Sequence, residues 1–402
     1  WPPGGARGGG MPGGGLLGAA FAASGVARIT AVGAAVTIAV GQAAVMTRGL
    51  GPYESYGGDL AWFAFAISGL LVAGVWIAER VTGRAFRNTA RFAVAFSAAA
   101  LFLKLAALLH PAMPIGDALF QAHRFEWVPA GRYYFTSVAP GGYQFPYAIA
   151  LYLFAAPFTL VVTGLPAYVD LLRTVVAVAD TLAGLLVYLM IVRASGDRLA
   201  GAIACGLFHL VPLNYQVQVT GNLTNAFGQS AFLVTLALVA LGTVRPGAPR
   251  GLAAGIAAAT VAALSHTSTF AILFPLLALA TVLFATRGGP VLRGTARTLA
   301  WLTATAVVLA VGLYYAHFPD TYREQLARIG GELGRPIAET DPGGRGLGAR
   351  LALVPHSLLT YYGLPVLALA GAGAAWFVRR HQRDRLGLVL LAGALGCGAF
   401  LV

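Results

Sequence analysis

The chain has 402 residues, of which 58% are hydrophobic and only 10% charged, with a formal net charge of +13 and a mean hydropathy of +0.75. Soluble domains carry about 25% charged residues, so this composition excludes a soluble enzyme held by a simple anchor and indicates a polytopic membrane protein. The positive charge does not indicate a nucleic-acid partner, because it falls in short loops between apolar stretches and not on a basic face interleaved with aromatics.

In chain order, residues 1–14 form a Gly/Pro-rich start that reads as disordered, without the pattern of a cleaved signal peptide. Residues 15–402 read as a single integral membrane domain. The start at Trp1 and the end inside an apolar run at Val402 suggest displaced termini. About 20 apolar residues are needed to cross a bilayer as a helix. Candidate spans lie near 26–46, 60–79, 90–110, 146–164, 171–192, 198–214, 225–243, 251–264, 267–286, 296–316, 356–378 and 386–402. The expected fold class is therefore all-α, a transmembrane helix bundle of about 11–12 spans. Only Ser265 and His266 separate 251–264 from 267–286, so this pair is either two short helices or one kinked helix.

Arginines cluster in the loops at 80–91, 245–250, 287–297 and 379–385, which the positive-inside rule places in the cytoplasm. Two larger loops, 111–145 and 318–350, then face out. One conflict remains. Counting both 146–164 and 171–192 as crossings puts Arg193 and Arg198 outside, unless one of those spans is re-entrant.

The loop at 111–145 concentrates the polar chemistry. Its core, Gly116-Asp117-Ala118-Leu119-Phe120-Gln121-Ala122-His123-Arg124-Phe125-Glu126-Trp127, suits a short amphipathic helix on the outer surface. Asp117 follows a Pro-Ile-Gly turn, at a helix N-cap position or at the mouth of a cavity as a general base or metal ligand. His123 and Arg124 suit an anionic head group or a solvated face. Tyr133, Tyr134, Phe135 and Tyr143 suit interfacial anchors or a sugar-stacking platform.

With its Asp in the first outer loop, then a His-Arg pair, a Gly-containing turn and the run Tyr143-Gln144-Phe145-Pro146-Tyr147-Ala148-Ile149-Ala150-Leu151-Tyr152, the chain resembles the GT-C superfamily of membrane glycosyltransferases. Leu172-Arg173, Leu186-Val187-Tyr188, Gly196-Asp197-Arg198-Leu199-Ala200-Gly201 and Val211-Pro212 follow in the same order. Leu264-Ser265-His266-Thr267-Ser268-Thr269 is similar to a segment of bacterial membrane proteins labelled as 6-pyruvoyl-tetrahydropterin synthase-related. The resemblance covers roughly residues 85–320. It implies a GT-C-like fold in a bacterial plasma (inner) membrane, with an outward-facing site. It also implies transfer of a sugar from a polyprenyl-phosphate donor to a lipid, glycan or protein acceptor. Asp117 would be the catalytic carboxylate, and His123, Arg124, Tyr143, Asn222, His266 and Arg323 would bind substrate. Many members carry paired acids in this loop, whereas here Ala118 follows Asp117.

Each of these positions also has a plainer reading. Asn222 or Thr224 suits a helix cap, and His266 a neutral packing histidine. Arg323 and Arg328 suit a lipid-phosphate clamp or an ordinary surface helix. Lys104, the chain's one lysine, either snorkels or pairs with a carboxylate, and Asp180 is the sharpest intramembrane charge, with Arg173 on the same helix face. No P-loop, Rossmann glycine fingerprint or His-Glu-x-x-His motif occurs, so no cofactor is expected. One aspartate with scattered histidines makes no coordination set, and dependence on a divalent metal is left open. Two further readings stand beside sugar transfer: a membrane transporter or lipid-handling protein, and a non-catalytic scaffold with a GT-C-like fold.

Overall fold

The computed structural model describes residues 54–83, 85–138, 144–324 and 327, with isolated residues and short runs beyond, including 384–385 and 387–393. The expected spans at 26–46 and 356–378 lie outside the described residues, apart from isolated positions in the second, as do Tyr143 and most of the loop 318–350. The chain falls into two compact units, residues 1–103 and 104–402.

In the first unit, α1 (Glu54–Thr82) leads into α2 (Asn88–Leu108), whose last turn belongs to the second. The Glu79 carboxylate closes the connection. It accepts the Phe86 N–H at 2.7 Å and holds the Arg91 guanidinium by two bonds of 2.7 Å.

The second unit continues with α3 (Ala118–Trp127), a hairpin of β1 (Thr136–Val138) and β2 (Gln144–Pro146), and α4 (Ala150–Ala155) running into a 3-10 helix (Ala156–Leu160). Then follow α5 (Leu165–Ser195), α6 (Arg198–Leu210), α7 (Pro212–Val219), α8 (Leu223–Ala240), α9 (Pro249–Ala263), α10 (Thr267–Arg287) and α11 (Pro290–Leu313), with a 3-10 turn at Tyr315–His317. The described residues are thus almost wholly helical. Among the described residues, five helices are long and apolar enough to cross a membrane: Asn88–Leu108, Leu165–Ser195, Leu223–Ala240, Thr267–Arg287 and Pro290–His317. Apolar side chains also face outward along them, Trp301 at 70% exposure and Val308 at 68%. Such a surface belongs in hydrocarbon, where the helix satisfies its own backbone. The chain is that of an integral membrane protein.

The direction of each helix follows from what its ends touch. α5 starts beside α3, with Tyr168 edge-on to Phe125 at 5.0 Å. One turn on, Arg173 donates to the carbonyls of Leu108 and Pro114, both at 2.7 Å. The 31 residues of α5 extend about 46 Å, so Arg193 lies at the far end. Helix α6 returns antiparallel, with Gly201 against Val192 and Tyr188, and His209 against Gly184. Val211-Pro212 breaks the path, and α7 completes the return, since proline cannot donate into the preceding turn. α8 runs parallel to α5, bringing Ala237 against Met190. α9 and α10 are separate helices, meeting at Leu264–His266. Of the two readings open for this pair, the break between two helices is the one observed.

All six paths between residues 165 and 317 therefore shuttle between two ends. One end collects the turns bearing Arg193 and Arg198, Arg245 and Arg250, and Arg287 and Arg293; Arg385 joins it by donating to the Val244 carbonyl at 2.9 Å. The other collects the segments 109–138 and 144–149, the Thr220–Asn222 turn, the Leu264–Thr267 break and Tyr314–His317. Here Ala150 N–H donates to Leu264 O at 2.7 Å, Tyr315 to Ala263 O at 2.8 Å, and Tyr314 to Phe135 O at 3.2 Å and to Tyr147 O.

This arrangement resolves the conflict over Arg193 and Arg198. The expected span at 146–164 is a six-residue helix and a five-residue 3-10 helix. Together they extend roughly 19 Å, too short for a core of about 30 Å. The short segment does not cross, so Arg193 and Arg198 fall at the same end as the other basic turns of this unit.

Candidate functional site

The end opposite the arginines carries the polar and aromatic groups, and α3 is at its centre. Ala118, Gln121, Ala122 and Phe125 are its buried face. Asp117, Gln121 and Arg124 are spaced i, i+4 and i+7, which puts them on one stripe of the helix.

Asp117 stands at the N-cap position but makes no side-chain capping bond, and its backbone is in the helical region (φ −69, ψ −8). The carboxylate is exposed, so the capping reading does not describe it. Its backbone is held instead: Asp117 N–H donates to Thr220 O at 3.1 Å. Two glycines permit this approach. Gly116 has φ +51, and a Cβ there would lie 2.8 Å from Thr220 O. Gly221 has φ +82, and a Cβ there would lie 2.3 Å from Ala118 N. Only glycine accepts both the positive φ and the contact. This docking brings Asn222 beside the start of α3. Asn222 likewise stands at an N-cap position without a side-chain cap.

Beneath the stripe lies a buried polar chain. Tyr152 donates to Gln121 Oε1 at 2.5 Å, Gln121 Nε2 donates to Tyr147 Oη at 2.6 Å, and Tyr147 and Thr224 share a bond of 3.2 Å. Gln121, Tyr152 and Thr224 are at most 1% exposed. Burial pushes the Tyr147 hydroxyl pKa up, opposed by its hydrogen bonds with Thr224 and Gln121, with Asp117 and Arg124 acting less strongly.

Arg124 lies over three rings, its guanidinium carbon 4.2 Å from the Trp127 centroid, 5.0 Å from Phe120 and 5.7 Å from Phe135. Cation–π attraction holds such a group without a carboxylate partner. Burial lowers its pKa, an effect opposed by Tyr152, Tyr147 and Tyr314. The guanidinium stays a cation, incompletely solvated, and so is suited to an anion. Nearby, Tyr134 stacks on His317 with centroids 4.0 Å apart.

The remaining expected residues divide. His123 turns outward to Glu126 at 3.4 Å, both exposed. Arg323 pairs with Asp320 at 3.0 Å on the surface. His266 caps α10: its Nδ1 accepts the Ser268 N–H at 3.2 Å and lies 2.7 Å from Ser268 Oγ. Burial lowers its pKa. It sits at the same end, since Thr267 reaches Pro146 O at 3.4 Å, but its proximal nitrogen is engaged by the cap. Among the described residues no group of three or more His, Cys, Asp or Glu comes together to hold a metal.

Gln121, and the roles of Tyr147, Tyr152 and Thr224, escaped the sequence reading. Only Gln121 left a signal there, its place between Asp117 and Arg124 on one helix stripe. Arg173 was expected to share the face of Asp180. It does, but it serves the carbonyls of Leu108 and Pro114, and Asp180 pairs with Lys104. No family model, no curated protein and no solved structure matches the chain.

Proposed function

We propose that the protein transfers a sugar from a polyprenyl-phosphate donor to an acceptor at its aromatic end. The observation that carries this reading is the uncapped, exposed carboxylate of Asp117 on the same α3 stripe as Arg124. The two groups supply what such a transfer needs at its two poles. Asp117 accepts the proton of the acceptor hydroxyl as its oxygen attacks the anomeric carbon. The bond from that carbon to the phosphate oxygen breaks, and Arg124 stabilises the charge on the departing lipid phosphate. A donor with a long apolar tail accounts for a site at the end of a membrane bundle.

The basic turns of the second unit gather at one end, which the positive-inside rule assigns to the cytoplasm. The site then faces outward. Coupled transport is the less favoured reading, because the mid-span carboxylate it would call on, Asp180, is paired with Lys104. The test is transfer by purified, reconstituted protein given a panel of polyprenyl-phosphate sugars. Asp117→Asn is expected to lower turnover at least about a hundredfold, the scale of a lost general base, with the fold intact. Full turnover in that variant would remove Asp117 from its role.

A further inference from the structure

We propose that Gln121 is the positioning residue of this site, fixing the rotation of α3 so that Asp117 and Arg124 face the same reacting group. The proposal rests on the transfer reading only in naming Asp117 and Arg124 as the working pair. Its own basis is the hydrogen-bond geometry.

A carboxamide has two different ends. Gln121 Oε1 accepts from Tyr152, and Gln121 Nε2 donates to Tyr147. Turning the amide over would set its N–H groups toward the Tyr152 hydroxyl and its oxygen toward Tyr147, inverting both bonds. The donor order Tyr152 to Gln121 to Tyr147 is therefore set by one side chain. Tyr147 receives the Gln121 N–H and keeps its own proton for Thr224 or for a group above it.

The partners come from three different places: α4 gives Tyr152, the residue after β2 gives Tyr147, and α8 gives Thr224. A ten-residue helix has little intrinsic stability in isolation, so its orientation depends on such tertiary contacts. Ala118 and Ala122 bury α3 without specifying its roll closely, since alanine offers little shape to register; Phe125, edge-on to Tyr168 at 5.0 Å, holds its last turn, and Gln121 holds the turn that flanks both charges. Gln121, between Asp117 and Arg124, is the one buried polar side chain on the helix. A rotation that broke its two bonds would carry both flanking charges away together.

The experiment uses the whole protein in detergent, wild type beside Gln121→Met and Gln121→Glu. The probe is a short dialkyl phosphate, which stays a monoanion across the range. Its binding and the thermal unfolding midpoint are both read from about pH 5 to about pH 9, spanning the range in which a buried Glu titrates. Gln121→Met keeps the side-chain length and loses both bonds; about tenfold weaker binding is expected, beyond what the modest fall in midpoint from stranding the Tyr152 hydroxyl accounts for. Gln121→Glu copies the carboxamide while protonated, with one oxygen accepting from Tyr152 and one O–H donating to Tyr147. It is expected to bind like wild type at low pH and to weaken about tenfold as it ionises, because the carboxylate has no proton to donate to Tyr147, and that bond must invert at the expense of Thr224. Each point is read as its ratio to wild type at the same pH. Native binding by Gln121→Met, or a Gln121→Glu profile parallel to wild type, would overturn the proposal, as would a binding loss that only tracks a fallen midpoint. These outcomes hold whether or not any sugar donor is turned over, so failure of the transfer reading remains distinguishable.

Discussion

Lys104 and Asp180 bury a pair of full charges between α2 and α5, their side chains 7% and 10% exposed. Gln121, Tyr147, Tyr152 and Thr224 bury four neutral groups between α3, the hairpin, α4 and α8. The charged pair is closed on itself, each ion answering the other. The neutral chain is linked at its edge to Asp117 and Arg124, which reach the surface. A membrane protein can bury charge where nothing is to happen and keep its working charges at the rim, held from below by groups that cost less to desolvate.

The largest effect should come from splitting the closed pair. Asp180→Ala leaves Lys104 as an unanswered buried cation, at a cost of about 3–5 kcal/mol. Lys104→Met combined with Asp180→Leu removes both charges and should recover most of that loss, since apolar replacement of a whole buried pair is often neutral. Unfolding midpoints in detergent decide it. A double variant no more stable than Asp180→Ala would show that the pair does more than neutralise itself. Breaking the neutral chain, as in Gln121→Met, should be milder, near 1–3 kcal/mol for each stranded polar group.

Next in size is the docking of α3. Gly221→Ala meets both a left-handed backbone, φ +82, and the Ala118 nitrogen at 2.3 Å. Gly131 is the control, with φ +79 and nothing within 4 Å of its missing Cβ. Gly131→Ala should cost only the backbone strain, about 1–2 kcal/mol. Gly221→Ala should cost more, and should also abolish binding of the dialkyl phosphate, because the clash displaces α3, which carries Arg124. Equal midpoints for the two variants would mean that the Thr220–Asn222 turn yields easily and does not position the site.

The spans were legible because hydropathy is a local property: the boundaries expected at 90–110, 171–192, 225–243, 267–286 and 296–316 agree with the helices to within six residues. The short path at Ala150–Leu160 was not, since its apolar run says nothing about where the 3-10 turns end it. The chemistry was half legible. Asp117 and Arg124 stand out as charges in an apolar chain. The partners of Gln121 lie 26 and 31 residues away, Asp180 lies 76 residues from Lys104, and no periodicity within one segment encodes such pairings. His266 and Asn222 show the opposite failure: both begin helices, but only His266 caps one with its side chain.

The smallest effects should fall on the exposed charges, and they sharpen the contrast with Arg124. His123 and Glu126 are 55% and 41% exposed, and Arg323 and Asp320 are 79% and 90% exposed. Pairs this open are screened by water and salt, so His123→Ala and Arg323→Ala should each change stability by less than about 0.5 kcal/mol. Arg323 is also the rival to Arg124 as partner of a lipid phosphate, and the two differ in how they are held. Arg323 is tied to a carboxylate in open solvent, where any anion must compete with Asp320 and with water. Arg124 lies over three rings, and among the described residues no salt bridge to a carboxylate holds it. Binding of the dialkyl phosphate should therefore survive Arg323→Ala unchanged and fall at least about tenfold in Arg124→Ala, the loss of one charge-assisted contact. The reverse ranking would move the phosphate to the Asp320–Glu324 region and leave the α3 stripe without its anion.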